Sequence, residues 1–259
     1  MELHAIDSGL IVGPCPFRQI PSSVDELQVL RQRAGLHRAV ASGFRSLLYY
    51  DPLAGLAEDM AEYASLRDWL YFYVTIDPRF PQMERGVERA ATDERIAGVR
   101  LLPAMHHYEL DDPAVDALMA AAAQHGVPVN LMARLFDDRI APRYVEQRVP
   151  SPASVATFVD RHREVNIALS MFYFSELKGL GIDWHGLPHV YVDFGCCKPN
   201  VASLDVLARF FPMQRGLFGT GAPFYYWAGS RLGLEGSELD ADMQRALLAD
   251  NARVFFAWD

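Results

Sequence analysis

Residues 98–132 read GVRLLPAMHHYELDDPAVDALMAAAAQHGVPVNLM, and this stretch decides the fold. Its two ends, Gly98–Leu102 and Val127–Met132, are short apolar runs of the kind buried on both faces in a parallel sheet. Between them, Asp112-Pro113 opens a helix over Ala114–Gln124, and Gly126 closes it from the C′ position. The segment is one strand, one helix and the next strand.

The same alternation continues outward to both ends of the chain. Strands are predicted at Gly9–Val12, Arg38–Ala41 and Tyr71–Ile76 before it, and at Ile167–Met171, Val190–Phe194 and Gly216–Gly219 after it. Ser23 and Glu26 form a capping box ahead of a periodic stretch to about Leu36. Ser151-Pro152 opens a helix ending near Arg163, and Ser203–Phe211 and Asp240–Ala249 complete the later units. There is no Gly/Ser linker, low-complexity tract or long repeat. Strands alternating with helices predict an α/β fold with a parallel sheet, and eight is the number that closes it. The expectation is a single (β/α)8 TIM barrel, one domain over residues 1–259.

Composition agrees and excludes several partners. The chain has 259 residues, 51% hydrophobic and 22% charged, with a mean hydropathy of zero, as globular chains do. Its 24 Lys and Arg against 33 Asp and Glu give a net charge of −9, without a basic run to bind nucleic acid. No apolar segment approaches the roughly 18 residues that span a bilayer, and MELHAIDSGLIVG lacks the cationic start of a signal peptide. Cys15, Cys196 and Cys197 make no disulfide framework, so a reduced, cytoplasmic protein is expected.

A barrel of this kind builds its site from the C-terminal strand ends and the loops after them. Several of those ends resemble the amidohydrolase superfamily: IDSGLIVGP near the start, GVRLLP, GVPVNLM, VNIALSM, VYVDFG and LFGTGAP along the strands, and DNARVFF at the end. The resemblance runs nearly the full length and implies a metal-dependent hydrolase barrel. It also exposes a departure. The family pattern I-D-x-H-x-H-x-G falls on Ile6–Gly13 with Gly9 and Ile11 at the histidine positions. Met132 and Met171 stand where strands 5 and 6 carry histidines, and Gly221 stands where strand 8 carries its aspartate. Zinc needs imidazole, carboxylate or thiolate donors, and these five residues supply none. The expectation is therefore no metal and no cofactor.

Other residues on those loops can do chemistry. His106 and His107 follow strand 4, with Tyr108 beside them, and imidazoles at a barrel mouth suit proton transfer. Arg134, Asp137, Asp138 and Arg139 follow strand 5. A guanidinium there could clamp a substrate acid group while a carboxylate orients a histidine. A surface ion-pair network is the plainer account. Arg18, Arg45 and Arg79 add cations around the mouth, favouring an anionic substrate. Cys196, Cys197 and Cys15 could converge as thiols, although buried cysteines usually act as small hydrophobes. Arg100 and Asp193 are charges inside predicted strands, and pairing between them would make both structural. Phe172–Phe174 and Phe224–Trp227, with Ile11, Met132 and Met171, predict an apolar mouth for a hydrophobic or aromatic ligand with one anionic end, or else core packing under the C-terminal helix or a subunit interface that admits a homodimer.

Two functions follow. One is a metal-independent hydrolase of a lactone or ester, or a lyase, acting on a small organic acid. His106 or His107 would move the proton, Asp137 or Asp138 would orient it, and Tyr108, Arg139, Arg134 and Arg18 would hold the substrate. The other is an inactive barrel that binds a ligand or serves an active homologue as a partner. The loops after strands 4 and 5 favour the enzyme. The inactive barrel predicts a mouth filled by side chains.

Overall fold

A computed structural model describes residues 4–195 and 203–258. Eight strands form one sheet in sequence order, each parallel to the next: β1 Ala5–Val12, β2 Leu36–Gly43, β3 Leu70–Thr75, β4 Ile96–Leu101, β5 Val129–Met132, β6 Ile167–Ser170, β7 Val190–Asp193 and β8 Gly216–Leu217. The barrel closes outside a regular ladder. Ser8 N–H donates to Phe218 O at 2.7 Å, Gly221 N–H to Gly9 O at 2.8 Å and Ile11 N–H to Ala222 O at 2.9 Å. This accounts for the short β8: beyond Leu217 the backbone turns, through Gly221 at φ +66°, to satisfy β1. At the other extreme, β1 and β2 begin earlier than their apolar runs suggest, because Ala5 and Leu36 already pair.

The capping signals act as read. Ser23 and Glu26 form a reciprocal capping box at the start of Val24–Ala34. Asp112 caps Pro113–His125, and Gly126 ends it in the left-handed conformation at φ 64°. The sequence reading passed over Pro52–Glu62, although Asp51-Pro52 repeats the Asp-Pro start, and also Met83–Thr92 and Trp227–Glu235. The predicted helix at Ser203–Phe211 stops at Leu207. The last helix passes from Ala241–Arg245 through a π-turn, Ala246–Asp250, into Asn251–Phe256. That turn precedes Asn251, whose amide donates to Met213 O and Gly216 O and ties the helix to β8. Among the described residues, no helix is long and apolar enough to cross a membrane.

The core has an outer and an inner part. Outside the sheet, Leu10, Val12, Val99 and Leu101 pack against helix residues such as Leu27 and Val115. Inside the barrel, side chains lie in layers. The lowest is apolar, with Ile6, Val40, Ala168, Tyr191 and Leu217 closed from below by Phe255 and Phe256. The layer above it is polar.

Candidate active site

Strand alternation sends Arg100, Asn130, Ser170 and Asp193 into the barrel toward the C-terminal end of the sheet, above Tyr73 of the apolar layer. Arg100 is 1% exposed. Its Nε donates to Asn130 Oδ1 at 3.1 Å and its Nη1 to Ser42 Oγ at 3.0 Å, and the guanidinium lies 4.3 Å from the Tyr73 ring centroid. Ser170 Oγ donates to the same Asn130 oxygen at 2.8 Å. On the β1 side, Asp7 accepts from Thr220 Oγ1 at 2.6 Å and from the backbone of Gly9 and Thr220. Asp193 accepts from Gly195 N–H at 2.9 Å.

Asp193 fits only because glycines surround it. A Cβ at Gly219 would stand 2.2 Å from Asp193 Oδ2, and one at Gly9 would stand 2.9 Å from it and 3.7 Å from Arg100 Nη2. Carboxyl and guanidinium thus occupy the space that a side chain at position 9 would need. Burial of these charges is costly and moves their protonation. Burial raises the Asp193 pKa to about 7, with Asp7 adding and Arg100 opposing. It raises Asp7 to about 6 against its hydrogen bonds, and it lowers Arg100. Arg100, Ser170, Asp193, Gly9 and Gly221 border a small cavity beneath Met132 and Met171, with about 10 Å³ open to a water centre.

The mouth above is apolar, as the sequence suggested of Ile11, Met132, Met171 and Phe224, whereas Phe172, Phe174 and Trp227 pack with the outer core and Tyr226 is exposed. Ile11, Met132, Met171, Leu135, Phe136 and Phe224 form one buried cluster, joined by Phe44 and Leu47. Phe224 meets Phe44 and Phe136 edge to face at 5.3 and 5.5 Å. Arg18 lies over the Phe224 ring and donates to its carbonyl, linking the first and last loops. Cys15 packs beside this cluster, whereas Cys196 and Cys197 lie outside the described residues.

The loop candidates are brought near the mouth but engage one another. His106 presents Nε2 to Leu47 O at 3.0 Å, its Nδ1 is buried without a hydrogen-bond partner, and burial keeps its pKa below the usual imidazole value. His107 is exposed at φ 55°, ending the turn Pro103–His106. Tyr108 is buried. The carboxylate acting on His106 is Asp77, itself paired with Arg79 at 2.7 Å, and Arg79 also donates to the carbonyls of His106 and His107. Asp137 receives two bonds from the Arg139 guanidinium, 2.6 and 2.9 Å, and one from Tyr173 OH, and the Arg139 bond holds its pKa well below the carboxylate range. Asp138 is exposed, its backbone N–H bonded to Tyr173 OH. Arg134 is buried against Glu176, Met171 O and the Tyr173 ring. Arg45 points to Asp59, Glu58 and Glu62 rather than to the mouth. Sequence reasoning had raised Arg100 and Asp193 as charges in apolar strands. It missed Ser42, Asn130 and Ser170, which carry no signal beyond being polar at inward positions.

The residues at the family's metal positions do not fit a divalent ion. Gly9, Ile11, Met132, Met171 and Gly221 offer no imidazole or carboxylate, and the space at position 9 belongs to Asp193 and Arg100. Among the described residues, no group of three His, Cys, Asp or Glu side chains is placed to hold a metal.

The sequence model of the family described as Amidohydrolase matches residues 14–258. Among solved structures, 5-carboxyvanillate decarboxylase from Sphingomonas paucimobilis is similar with a TM-score of 0.70 at 14% identity, with 100% of both chains covered. The 2,6-dihydroxybenzoate decarboxylase complexed with 2,6-dihydroxybenzoate gives 0.72 at 13% identity, covering 99% of this chain and 100% of that one. A probable 2-pyrone-4,6-dicarboxylic acid hydrolase from Acinetobacter baumannii, with citric acid bound, gives 0.66 at 12% identity, covering 98% and 100%. These likenesses show the shared barrel. A search of curated proteins found no match.

Proposed function

Because the chain belongs to the amidohydrolase family, we propose that it is a lyase or hydrolase of a small organic acid that works without a divalent metal. The observation that carries this reading is the polar layer below the mouth. There Arg100 and Asp193 are buried side by side at the strand ends where barrels of this class place their chemistry. Buried charges cost stability, so a barrel kept only for its shape gains nothing from them. Arg100 supplies a fixed positive charge for an acid group. Asp193, balanced between its two protonation states near neutral pH, carries the proton. In a decarboxylation the carbon–carboxylate bond breaks, its electron pair stays on carbon, and the Asp193 proton takes the place of CO2. In hydrolysis of a lactone that brings no free acid group to Arg100, the ionised Asp193 carboxyl accepts a proton from the attacking water. The similarity to two decarboxylases of aromatic acids and a probable hydrolase of a pyrone acid supports this substrate class.

In this reading the proton moves from the loop candidates to Asp193, because Asp137 is held by Arg139 and His106 faces Leu47. Arg18, Tyr108, Arg134 and Arg139 shape the loops around the substrate instead of holding it. A reduced cytoplasmic setting, and a homodimer through exposed rim aromatics such as Tyr226, belong to the same proposal.

One observation favours the second reading, an inactive barrel that binds a ligand or a partner: apolar side chains fill the mouth. Turnover separates the two. The purified chain, offered aromatic carboxylic acids and lactones, is expected to release CO2 or free acid at a rate unchanged by EDTA. Asp193→Asn should lower that rate by about 100-fold with the fold intact by circular dichroism. Activity abolished by EDTA contradicts the proposal, and no turnover with any substrate leaves the inactive barrel.

A further inference from the structure

The small cavity under the apolar mouth has a composition that selects its occupant. Arg100 Nη2 faces the Gly9 side of it, Ser170 Oγ and Asp193 border it, and Ile11, Met132 and Met171 roof it. As it stands it has room for about one water, so an acid group enters by displacing that water and moving the Met132 and Met171 side chains aside. A fixed cation beneath an apolar roof suits an acid group that enters end-on with an apolar body behind it. We propose that this cavity is a carboxylate subsite, in which Arg100 holds one oxygen of a monocarboxylic acid and Asp193 must be protonated for the acid to bind. The inference rests on the functional reading above and fixes which end of the substrate lies deepest.

The requirement for a proton follows from charge. An ionised Asp193 beside Arg100 would repel a second carboxylate and compete for the same guanidinium. A neutral Asp193 leaves that cation to the ligand. Among the described residues, the other ionisable groups facing this pair are Asp7 and Tyr73. Asp7, hydrogen-bonded to Thr220 and Gly9, loses its proton near pH 6, at the lower edge of the interval tested below, and burial pushes Tyr73 far above the working range, so Tyr73 stays neutral.

Benzoate, with formate as its smallest analogue, is the probe, measured by isothermal titration calorimetry on the full chain. Binding to the wild type is expected to weaken about tenfold between about pH 6 and pH 8, as a group titrating near the middle of that interval requires. Asp193→Asn should bind within about twofold at the two values, the remaining change coming from Asp7. Arg100→Met should lose binding, and Arg79→Ala, which removes a cation from the rim, should not. Should Arg100→Met fail to fold, the flattened profile of Asp193→Asn still decides. No benzoate binding at millimolar concentration, or the same pH dependence in Asp193→Asn, overturns the subsite. Binding without turnover would remove the catalytic reading and leave the subsite. EDTA-resistant turnover without this binding would do the reverse.

Discussion

Arg134→Ala is expected to destabilise the fold by about 3 kcal/mol, as breaking a buried ion pair from one side does. The guanidinium is 2% exposed, and it donates from Nη1 to Glu176 Oε2 and to Met171 O, each at 2.8 Å. It also lies 3.9 Å from the Tyr173 ring centroid. The loss leaves the Met171 carbonyl without its donor and Glu176 without its partner. Because Glu176 is 24% exposed it can rehydrate, which keeps the cost at the lower end of the range for such pairs. In a chain of this length the midpoint of thermal unfolding should fall by roughly 6–12 °C. Arg134→Lys should recover only part of that, since an ammonium cannot make the two-pronged bond. A substrate-holding arginine would behave otherwise, with an unchanged melting temperature and a raised KM.

Stability should also decline as pH rises from about 5 to 8, by on the order of 3 kcal/mol. The cause is the pair of buried carboxyls whose pKa values are raised in the fold, Asp193 to about 7 and Asp7 to about 6. Between the unfolded value near 4 and these folded values, the unfolded chain has released protons that the folded chain still holds. The stabilisation is therefore complete below the unfolded pKa and is lost as pH rises through the folded ones. Asp59, raised by burial to about 6 despite its bond to Arg45, acts in the same direction. Asp137 has the opposite sign, but its lowered pKa confines its effect to more acid solution. The histidines whose pKa burial lowers, His37, His106, His162 and His189, offset part of the decline below about pH 6.5. Urea titrations across the interval measure the slope. Asp193→Asn should remove about half of it, and a slope unchanged in that variant would mean that Asp193 is ionised in the native barrel throughout.

Much of the fold was legible because each βα unit repeats the same local grammar. Ser23 with Glu26, Asp112-Pro113 and Gly126 announce helix ends by their own side chains or by a left-handed backbone, without reference to distant residues. Met83–Thr92 escaped notice for the converse reason, since no side chain caps its start. β8 was overread because Phe218 and Gly219 look like strand, whereas their backbone serves the closure with β1.

The site was less legible. Arg100 and Asp193 stand out as charges in apolar runs, but their proximity depends on Gly9, Gly195 and Gly219 leaving room, from strands far apart in the chain. The loops misled in another way. Asp137 and Arg139 looked like parts of a substrate clamp, yet a tight turn lets them satisfy each other two residues apart. Chemically capable residue types on a loop do not reveal whether their partners are a substrate or the neighbouring side chain.

At Gly9, where the family pattern places a metal-binding histidine, a guanidinium and a protonatable carboxyl take the space instead. Metal content by inductively coupled plasma mass spectrometry tests this exchange directly, on protein purified without chelator and without nickel affinity resin. Less than about a tenth of an equivalent of any transition metal is the predicted result for a donor set that lacks imidazole and free carboxylate. A stoichiometric metal would contradict it and would mean that residues outside the five family positions had assembled a centre of their own.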